Sequence, residues 1–223
     1  LWRDPVGDDI FGGTRRVMFG TAILFLACNF LSLVMSPSWG TSLWGKSPAS
    51  DGYAVYTMTA YILFSLTVAT HFRTSSQIRR LLVAITIVGV LVGGHAVLQR
   101  FGLDPFAEGL AGIGSDASLG NPIFAGQVLV VSIGVTLGLM AASVLRHRDI
   151  RSVVTWGFVI GLQLSGLIFT FSQGAWVSLL IVGILFVCIG LIKFGLRECR
   201  YLLLPLFLAF GITLVLVTLP GRA

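Results

Sequence analysis

The sequence predicts an all-α, multispanning integral membrane protein, a bundle of about seven transmembrane helices. Two features of its composition support this prediction: 56% of the 223 residues are hydrophobic and only 11% are charged. The mean hydropathy is +0.94, well above that of a soluble globular domain. Apolar runs of membrane-spanning length alternate with short basic clusters along the chain, which is typical of a protein that crosses a bilayer several times.

The predicted spans follow a mixed-charge segment, residues 1–16, that we expect on the cytoplasmic side. About twenty helical residues cross the hydrocarbon layer of a bilayer. On this basis the spans lie near residues 17–36, 53–71, 81–99, 122–145, 153–171, 174–192 and 201–219. The fifth and sixth spans should form a tight hairpin, because only a short polar turn at Ser172 separates them. Residues 220–223 follow the last predicted span.

The distribution of basic residues predicts the orientation, because cytoplasmic loops carry an excess of Lys and Arg. With the N-terminus in the cytoplasm, twelve of the 15 basic residues fall on the inner side. These are Arg3, Arg15, Arg16, Arg73, Arg79, Arg80, Arg146, Arg148, Arg151, Lys193, Arg197 and Arg200. Lys46, Arg100 and Arg222 fall outside. We therefore expect the C-terminal end of this chain to be extracytoplasmic.

An outer polar rim is the candidate binding site. Its candidate substrate-binding residues are Arg100, Asn121, Ser172, Gln173 and Arg222. Helix N-termini after Asn121 and Ser172 and the guanidinium groups of the rim suit an anionic headgroup. Purely structural interpretations stay open: Asn121 can simply cap a helix that starts with Pro122, and Arg100 can simply anchor a helix end at the headgroups.

Other classes of function find little support in the sequence. His95 is the only ionisable residue well inside a predicted span, and a packing role is favoured over a proton relay. No nucleotide-binding or metal motif is visible, so we predict no cofactor, no metal and no nucleic-acid partner. The three cysteines, Cys28, Cys188 and Cys199, are expected to be buried thiols. Three GxxxG pairs, at residues 89/93, 134/138 and 157/161, indicate close helix packing.

Five stretches occur in an order that resembles one family. They are SLWGKSPASDGY at residues 42–53, HFRTSSQIRRLLVAI at 71–85, LQRFGLDPF at 98–106, SLGNPIFAG at 118–126 and FTFSQGAWVSLLIVGILF at 169–186. In this order and spacing the chain resembles the O-antigen ligase and polymerase family of bacterial cell envelopes, over about residues 20–192. Each stretch alone is a weak signal, and the combination carries the resemblance.

The resemblance implies a membrane glycosyltransferase of the type C fold, acting in polysaccharide biosynthesis at the outer leaflet of the bacterial cytoplasmic membrane. The donor would be a glycan on a polyprenyl diphosphate, and the acceptor a sugar or protein hydroxyl. Membrane lipids and a larger membrane complex are the other expected partners. By the resemblance, residues 220–223 would begin an extracytoplasmic loop. The catalytic part of that loop would lie beyond Ala223, so no catalytic residue can be named. At the position of Gln173 the family has an arginine, which by the resemblance helps to hold the diphosphate. At the position of Ile123 the family has an asparagine.

A non-enzymatic function is the alternative, because Gln173 and the end of the chain before the catalytic loop both favour it. The chain would then be an accessory or scaffold subunit of a membrane complex, or a lipid-glycan transporter. A reading frame that continues into a loop with histidine and arginine would favour the enzyme. Ligase or polymerase activity, the glycan, the acceptor and the oligomeric state are all left open by the sequence.

Overall fold

The computed structural model describes residues 8–45, 54–71, 74–104, 114–117 and 119–220, with side chains from residue 17 onward. All regular structure in these ranges is helical, which confirms the predicted all-α class. The helices are α1 (Asp8–Val34), α2 (Trp39–Trp44), α3 (Val55–His71), α4 (Ser75–Arg100), α5 (Pro122–His147), α6 (Ile150–Phe169) and α7 (Gln173–Thr218). Five of them, α1, α4, α5, α6 and α7, are long and apolar enough to cross a membrane, consistent with a multi-pass membrane protein.

The chain forms two compact units, residues 1–79 and 80–223. In the first unit, α1 already begins at Asp8, inside the segment predicted to precede the first span. A loop was expected at residues 37–52, but Trp39–Trp44 form the short helix α2. The Trp44 ring lies 5.5 Å from the ring of Tyr56, centroid to centroid, and so connects α2 with α3. Trp39 and Trp44 stay exposed, as aromatic residues of an interfacial belt do.

In the second unit, α4, α5 and α6 pack through small residues. A Cβ atom added to Gly166 of α6 would lie only 2.5 Å from the Cα atom of Gly93 on α4, so the two backbones touch there. A Cβ atom on Gly89 would collide with the side chain of Ser132 on α5. In a bilayer the hydrophobic effect does not drive helices together, because lipid tails are as apolar as the side chains. Close approach of the backbones stabilises the helix contact through van der Waals interactions instead.

Helix α7 turns back on itself at Gly195. Its 46 residues would measure about 69 Å if straight, more than twice the hydrocarbon thickness. Gly195 instead has φ 73° and ψ 168°, a conformation that essentially only glycine adopts. The Cys199 Sγ atom lies 3.5 Å from the position of a Cβ on Gly190, whereas nine residues of straight helix would separate them by about 13 Å. We call the two halves α7a (residues 173–194) and α7b (residues 196–218).

The two halves of α7 pack on different helices. On α7a, the Val182 side chain lies 3.5 Å from the Cβ position of Gly134 in α5. On α7b, the Thr213 hydroxyl donates to the Gly161 carbonyl of α6 at 3.2 Å. Along each pair of helices, contacts that come later in one helix also come later in the other. Helix α7a is therefore parallel to α5, and α7b is parallel to α6.

The core of the second unit lies mainly on α5 and α6. Its fully buried large side chains include Leu129, Ile133, Met140, Ile160 and Leu167. Many outward-facing apolar side chains stay exposed, which a lipid environment tolerates.

The prediction that the cysteines are buried is wrong. Cys28 and Cys188 are exposed and Cys199 is half-buried, because an apolar thiol is stable on a lipid-facing helix surface without protein around it.

Candidate functional site at the loop end

One end of the second unit gathers the C-termini of α4 and α6, residues 114–117 and 119–121, and the N-termini of α5 and α7. We call it the loop end. Gln99, in the last turn of α4, connects its parts. The Gln99 Nε2 amide donates to Asp104 Oδ2 and to Asp116 Oδ1, both at 3.0 Å. The Gln99 Oε1 atom accepts the backbone N–H of Ala117 at 2.9 Å. A single side chain thereby holds Asp104, Asp116 and Ala117 against α4.

His95 joins the same network from one turn earlier on α4. Its Nε2 atom lies 2.9 Å from Asp104 Oδ1, and the two side chains are only 17% and 8% exposed. The spacing of four residues puts His95 and Gln99 on one face of α4. The preferred interpretation of His95 as a hydrogen-bonded packing residue agrees with this geometry. Its carboxylate partner was not foreseen.

Residues 114–117 are fixed between α4 and α6. The Ser115 backbone N–H donates to the Phe169 carbonyl at 2.9 Å, and the Ser115 hydroxyl donates to the Ala96 carbonyl at 3.1 Å. Gly114 lies so close to the Thr170 carbonyl that no side chain fits there. Ala117 and Phe171 both have positive φ, 50° and 53°. Non-glycine residues adopt this region at a cost, and such residues cluster at functional sites.

Two helix N-termini lie side by side at the loop end. The Asn121 Oδ1 atom accepts the backbone N–H of Ile123 at 2.8 Å, so Asn121 caps α5 as the sequence predicted. Ser172 occupies the N-cap position of α7 without a side-chain cap hydrogen bond. The Cβ position of Gly126, in the first turns of α5, lies 3.2 Å from the Ser172 Cβ atom. Both helix dipoles therefore present their positive ends at this end. The N–H groups in the first turn of α5 are already bonded to Asn121, so the free N–H groups are those at the start of α7.

Arg100 is the last residue of α4 and is half-buried. Its guanidinium carbon lies 5.9 Å from the ring centroid of Phe169, at the end of α6. The Phe101 ring meets the same ring edge-on at 6.4 Å. A cation over an aromatic face is attracted by the ring quadrupole, so Arg100 has an anchoring contact. Its predicted contact with phosphate stays a prediction.

The structure brings four of the five candidate substrate-binding residues to this end: Arg100, Asn121, Ser172 and Gln173. Gln173 is exposed as the first residue of α7. Arg222 and the other predicted outer cation, Lys46, lie outside the described residues. Within the described part of the chain, no group of three or more His, Cys, Asp or Glu residues is placed to hold a metal ion.

The sequence analysis missed the roles of Asp104 and Asp116. Two signals were available: the His95 and Gln99 pair at helical spacing, and the concentration of acidic residues in the segment that follows α4. Neither signal fixes a pairing, because the path of the loop decides which carboxylate returns to α4.

Comparison with known proteins adds no family assignment, because no family model, curated protein or solved structure matches this chain. The resemblance to O-antigen ligases and polymerases therefore stays a prediction based on the five stretches quoted above.

Proposed function

We propose that this chain is the membrane half of a glycosyltransferase of the O-antigen ligase and polymerase type. It has seven spans in a bundle of the type C fold and a cytoplasmic N-terminus. It transfers or polymerises glycans from a polyprenyl-diphosphate donor at the outer leaflet of the bacterial cytoplasmic membrane. The observation that carries the proposal is the pair of adjacent helix N-termini at Asn121 and Ser172, with Arg100 at the same end of the unit.

This arrangement suits a diphosphate. The free N–H groups at the start of α7 and the positive ends of the two helix dipoles can bind phosphate oxygens without any charged side chain. Arg100 adds a planar guanidinium that can bind two oxygens at once. When the glycosyl bond breaks, negative charge grows on the leaving diphosphate, and preorganised donors at that position lower the barrier. The glycosyl-diphosphate bond already stores the required free energy.

Two acidic residues at the loop end have partners on α4. Asp104 accepts hydrogen bonds from Gln99 and is paired with His95, and Asp116 accepts a hydrogen bond from Gln99. Both carboxylates thus contact side chains of α4, while the helix N-termini belong to α5 and α7. A base must still deprotonate the acceptor hydroxyl. By the resemblance, this base belongs to the family's catalytic loop.

The test is binding of a polyprenyl-diphosphate glycan by Arg100 variants of the purified protein. Arg100→Ala should weaken donor binding about tenfold or more, because a charge-assisted hydrogen bond contributes roughly 1.5–3 kcal/mol. Arg100→Lys should recover only part of this, since an ammonium cannot reproduce the guanidinium fork. Arg79→Ala, which removes a cation from the other end of α4, should bind normally. Equal loss of membrane abundance and binding in Arg100→Ala would instead mark a structural anchor.

Gln173→Arg separates the enzyme from the accessory subunit in the same assay. The exposed, uncharged Gln173 is the observation that favours the accessory function. Near a bound diphosphate, a new guanidinium should keep or raise donor affinity. In a protein–protein interface it would be a buried, unpaired charge and should lower the yield of the complex. No measurable donor binding by the wild type or the variant, together with lost assembly of the variant, would contradict the transferase proposal.

A further inference from the structure

The opposite end of the second unit carries a concentrated basic surface. We call it the basic end, and it consists of residues 146–151, around the α5–α6 turn, and residues 193–200, around Gly195. An ion pair joins the two segments: Arg148 Nη2 lies 2.6 Å from Glu198 Oε2. The Arg148 guanidinium also lies over the Tyr201 ring, 5.0 Å from its centroid. The Arg200 guanidinium lies 5.1 Å from the same centroid.

Both turns have fixed backbones. Arg148 is in the left-handed region, with φ 50° and ψ 31°, and its N–H donates to the Val144 carbonyl at 2.9 Å. Asp149 then caps α6 by accepting the Ser152 backbone N–H at 3.1 Å. Gly195 provides the other turn. The basic side chains therefore project from two short, well-defined connections and not from long loops.

Positive charge exceeds negative charge at this end. The two segments contain six basic and two acidic residues, a formal charge of +4. Both acidic residues are already engaged, Glu198 with Arg148 and Asp149 at the α6 N-terminus. Hydrogen bonds from the Ser152 hydroxyl and backbone lower the pKa of Asp149, so it is ionised at neutral pH. Four exposed cations, two from each segment, have no hydrogen-bond or ion-pair partner among the described residues: Arg146, Arg151, Lys193 and Arg197.

Large apolar side chains stand exposed beside these cations. Ile150 is 67% exposed, Ile192 87% and Leu196 81%, all within one residue of Arg151, Lys193 or Arg197. A soluble anion or a polar protein surface would satisfy the cations but would not cover these apolar side chains. An amphiphile satisfies both, with its phosphate at the cations and its acyl chains on the isoleucine and leucine side chains.

We propose that the basic end is a binding site for an anionic phospholipid whose headgroup carries two phosphates. The two segments each supply one pair of unpartnered cations, and the Arg148–Glu198 ion pair holds the segments together. One phosphate binds Arg146 and Arg151, and the other binds Lys193 and Arg197. This site lies at the end of the unit opposite Arg100 and Ser172, and it does not depend on the proposed transferase function.

The test is lipid binding by the purified full chain in a neutral detergent, measured by native mass spectrometry. Diphosphatidylglycerol is titrated against phosphatidylglycerol, with one phosphate, and phosphatidylcholine, which is zwitterionic. The variant is Arg151→Gln/Arg197→Gln, which removes one cation from each segment. The control is Arg79→Gln/Arg80→Gln, which removes two exposed basic residues from the start of α4. Thermal unfolding without added lipid checks that both variants are folded.

The wild type and the control should retain one diphosphatidylglycerol in preference to the other two lipids. Since a cation near a lipid headgroup contributes about fivefold in affinity, the variant should bind roughly 30-fold more weakly. Binding should also weaken as ionic strength rises.

Three outcomes would overturn the proposal. Equal weakening in the variant and the control would show that only total charge matters. Equal retention of phosphatidylglycerol would show that the two headgroup phosphates are not recognised as a pair. Full displacement of the lipid by inorganic diphosphate at equal concentration would assign the site to a soluble anion.

Discussion

Gln163 is the clearest single-residue irregularity in the second unit. It is fully buried in α6, and its Nε2 atom donates to the Thr86 carbonyl at 3.2 Å and to the Ser132 hydroxyl at 3.3 Å. Its Oε1 atom has no partner among the described residues. An unsatisfied buried acceptor costs about 1–3 kcal/mol. The α4–α5–α6 contact therefore contains a polar group that lowers the stability of the unit.

Gln163→Met should leave stability unchanged or raise it by about 1 kcal/mol, because it removes the unsatisfied acceptor at similar volume. The Ser132 hydroxyl keeps its own acceptor, the Ile85 carbonyl at 2.9 Å. Gln163→Ala is the matched comparison and should destabilise by roughly 2 kcal/mol or more, because it leaves a cavity. Thermal unfolding in detergent measures both. A Gln163→Met protein destabilised as strongly as Gln163→Ala would mean that Oε1 makes a stabilising hydrogen bond.

Residue-scale predictions from the sequence succeeded where the cause was local. Asn121 caps α5 because its own side chain accepts a hydrogen bond from the first turn, and the proline that follows needs no partner for an N–H group. The Gln99 bridge was not predictable in the same way, since it joins residues 17 positions apart. The burial of the cysteines was predicted wrongly, because burial within the protein and burial in lipid favour the same residue types.

At the scale of elements, the turn at Gly195 decides whether α7 is one long helix or a hairpin. Gly195→Ala should destabilise the protein by about 1–3 kcal/mol, because an alanine is strained at this φ and ψ. The control is Gly183→Ala in α7a, where an added Cβ meets nothing within 4 Å. Alanine there should be neutral or stabilising by up to about 1 kcal/mol, because of its helix propensity.

Thermal unfolding of both glycine variants in detergent provides the measurement. If α7 were a continuous helix, Gly195→Ala would also be neutral or stabilising, and the hairpin would be refuted. A selective loss of stability in Gly195→Ala supports the hairpin, since both substitutions add the same methyl group to the same helix.

The sequence placed a break between residues 192 and 201 because charged residues interrupt the apolar pattern there. It did not place the turn at Gly195, because one glycine among 27 carries no mark of its backbone conformation. Helix α2 was missed for a different reason. Six residues are too few for a helical period to be visible in the sequence.

At the scale of the second unit, the two ends differ in chemistry as the count of basic residues predicts. The segments around Arg148 and Glu198 meet at one end, while Ser115 and Phe169 meet at the other. Two clusters assigned to one side of a membrane thus lie together in space. The sequence could predict which basic clusters lie at the same end, because their order along the chain and the lengths of the apolar runs are visible in it. The end that faces the cytoplasm is determined when the chain inserts into the membrane, and a labelling experiment identifies it.

Cysteines at the two ends of α5 test the orientation directly. The 26 residues of α5 span about 39 Å, enough to cross the hydrocarbon layer. Leu119→Cys lies just before this helix and His147→Cys lies at its end, and both positions are exposed. Cys28, Cys188 and Cys199 are first replaced by alanine, because two of them are exposed and would react themselves.

With the N-terminus in the cytoplasm, a membrane-impermeant thiol reagent should label Leu119→Cys in cells whose outer membrane alone is permeable. His147→Cys should be labelled only after the inner membrane is opened, which also serves as the control for its reactivity. The reverse pattern would invert the orientation and place the loop end, with Arg100 and Ser172, in the cytoplasm. The proposed donor at the outer leaflet would then be out of reach. Labelling of both positions in intact cells would mean that α5 does not cross the membrane, and the multispanning arrangement of this unit would fall with it.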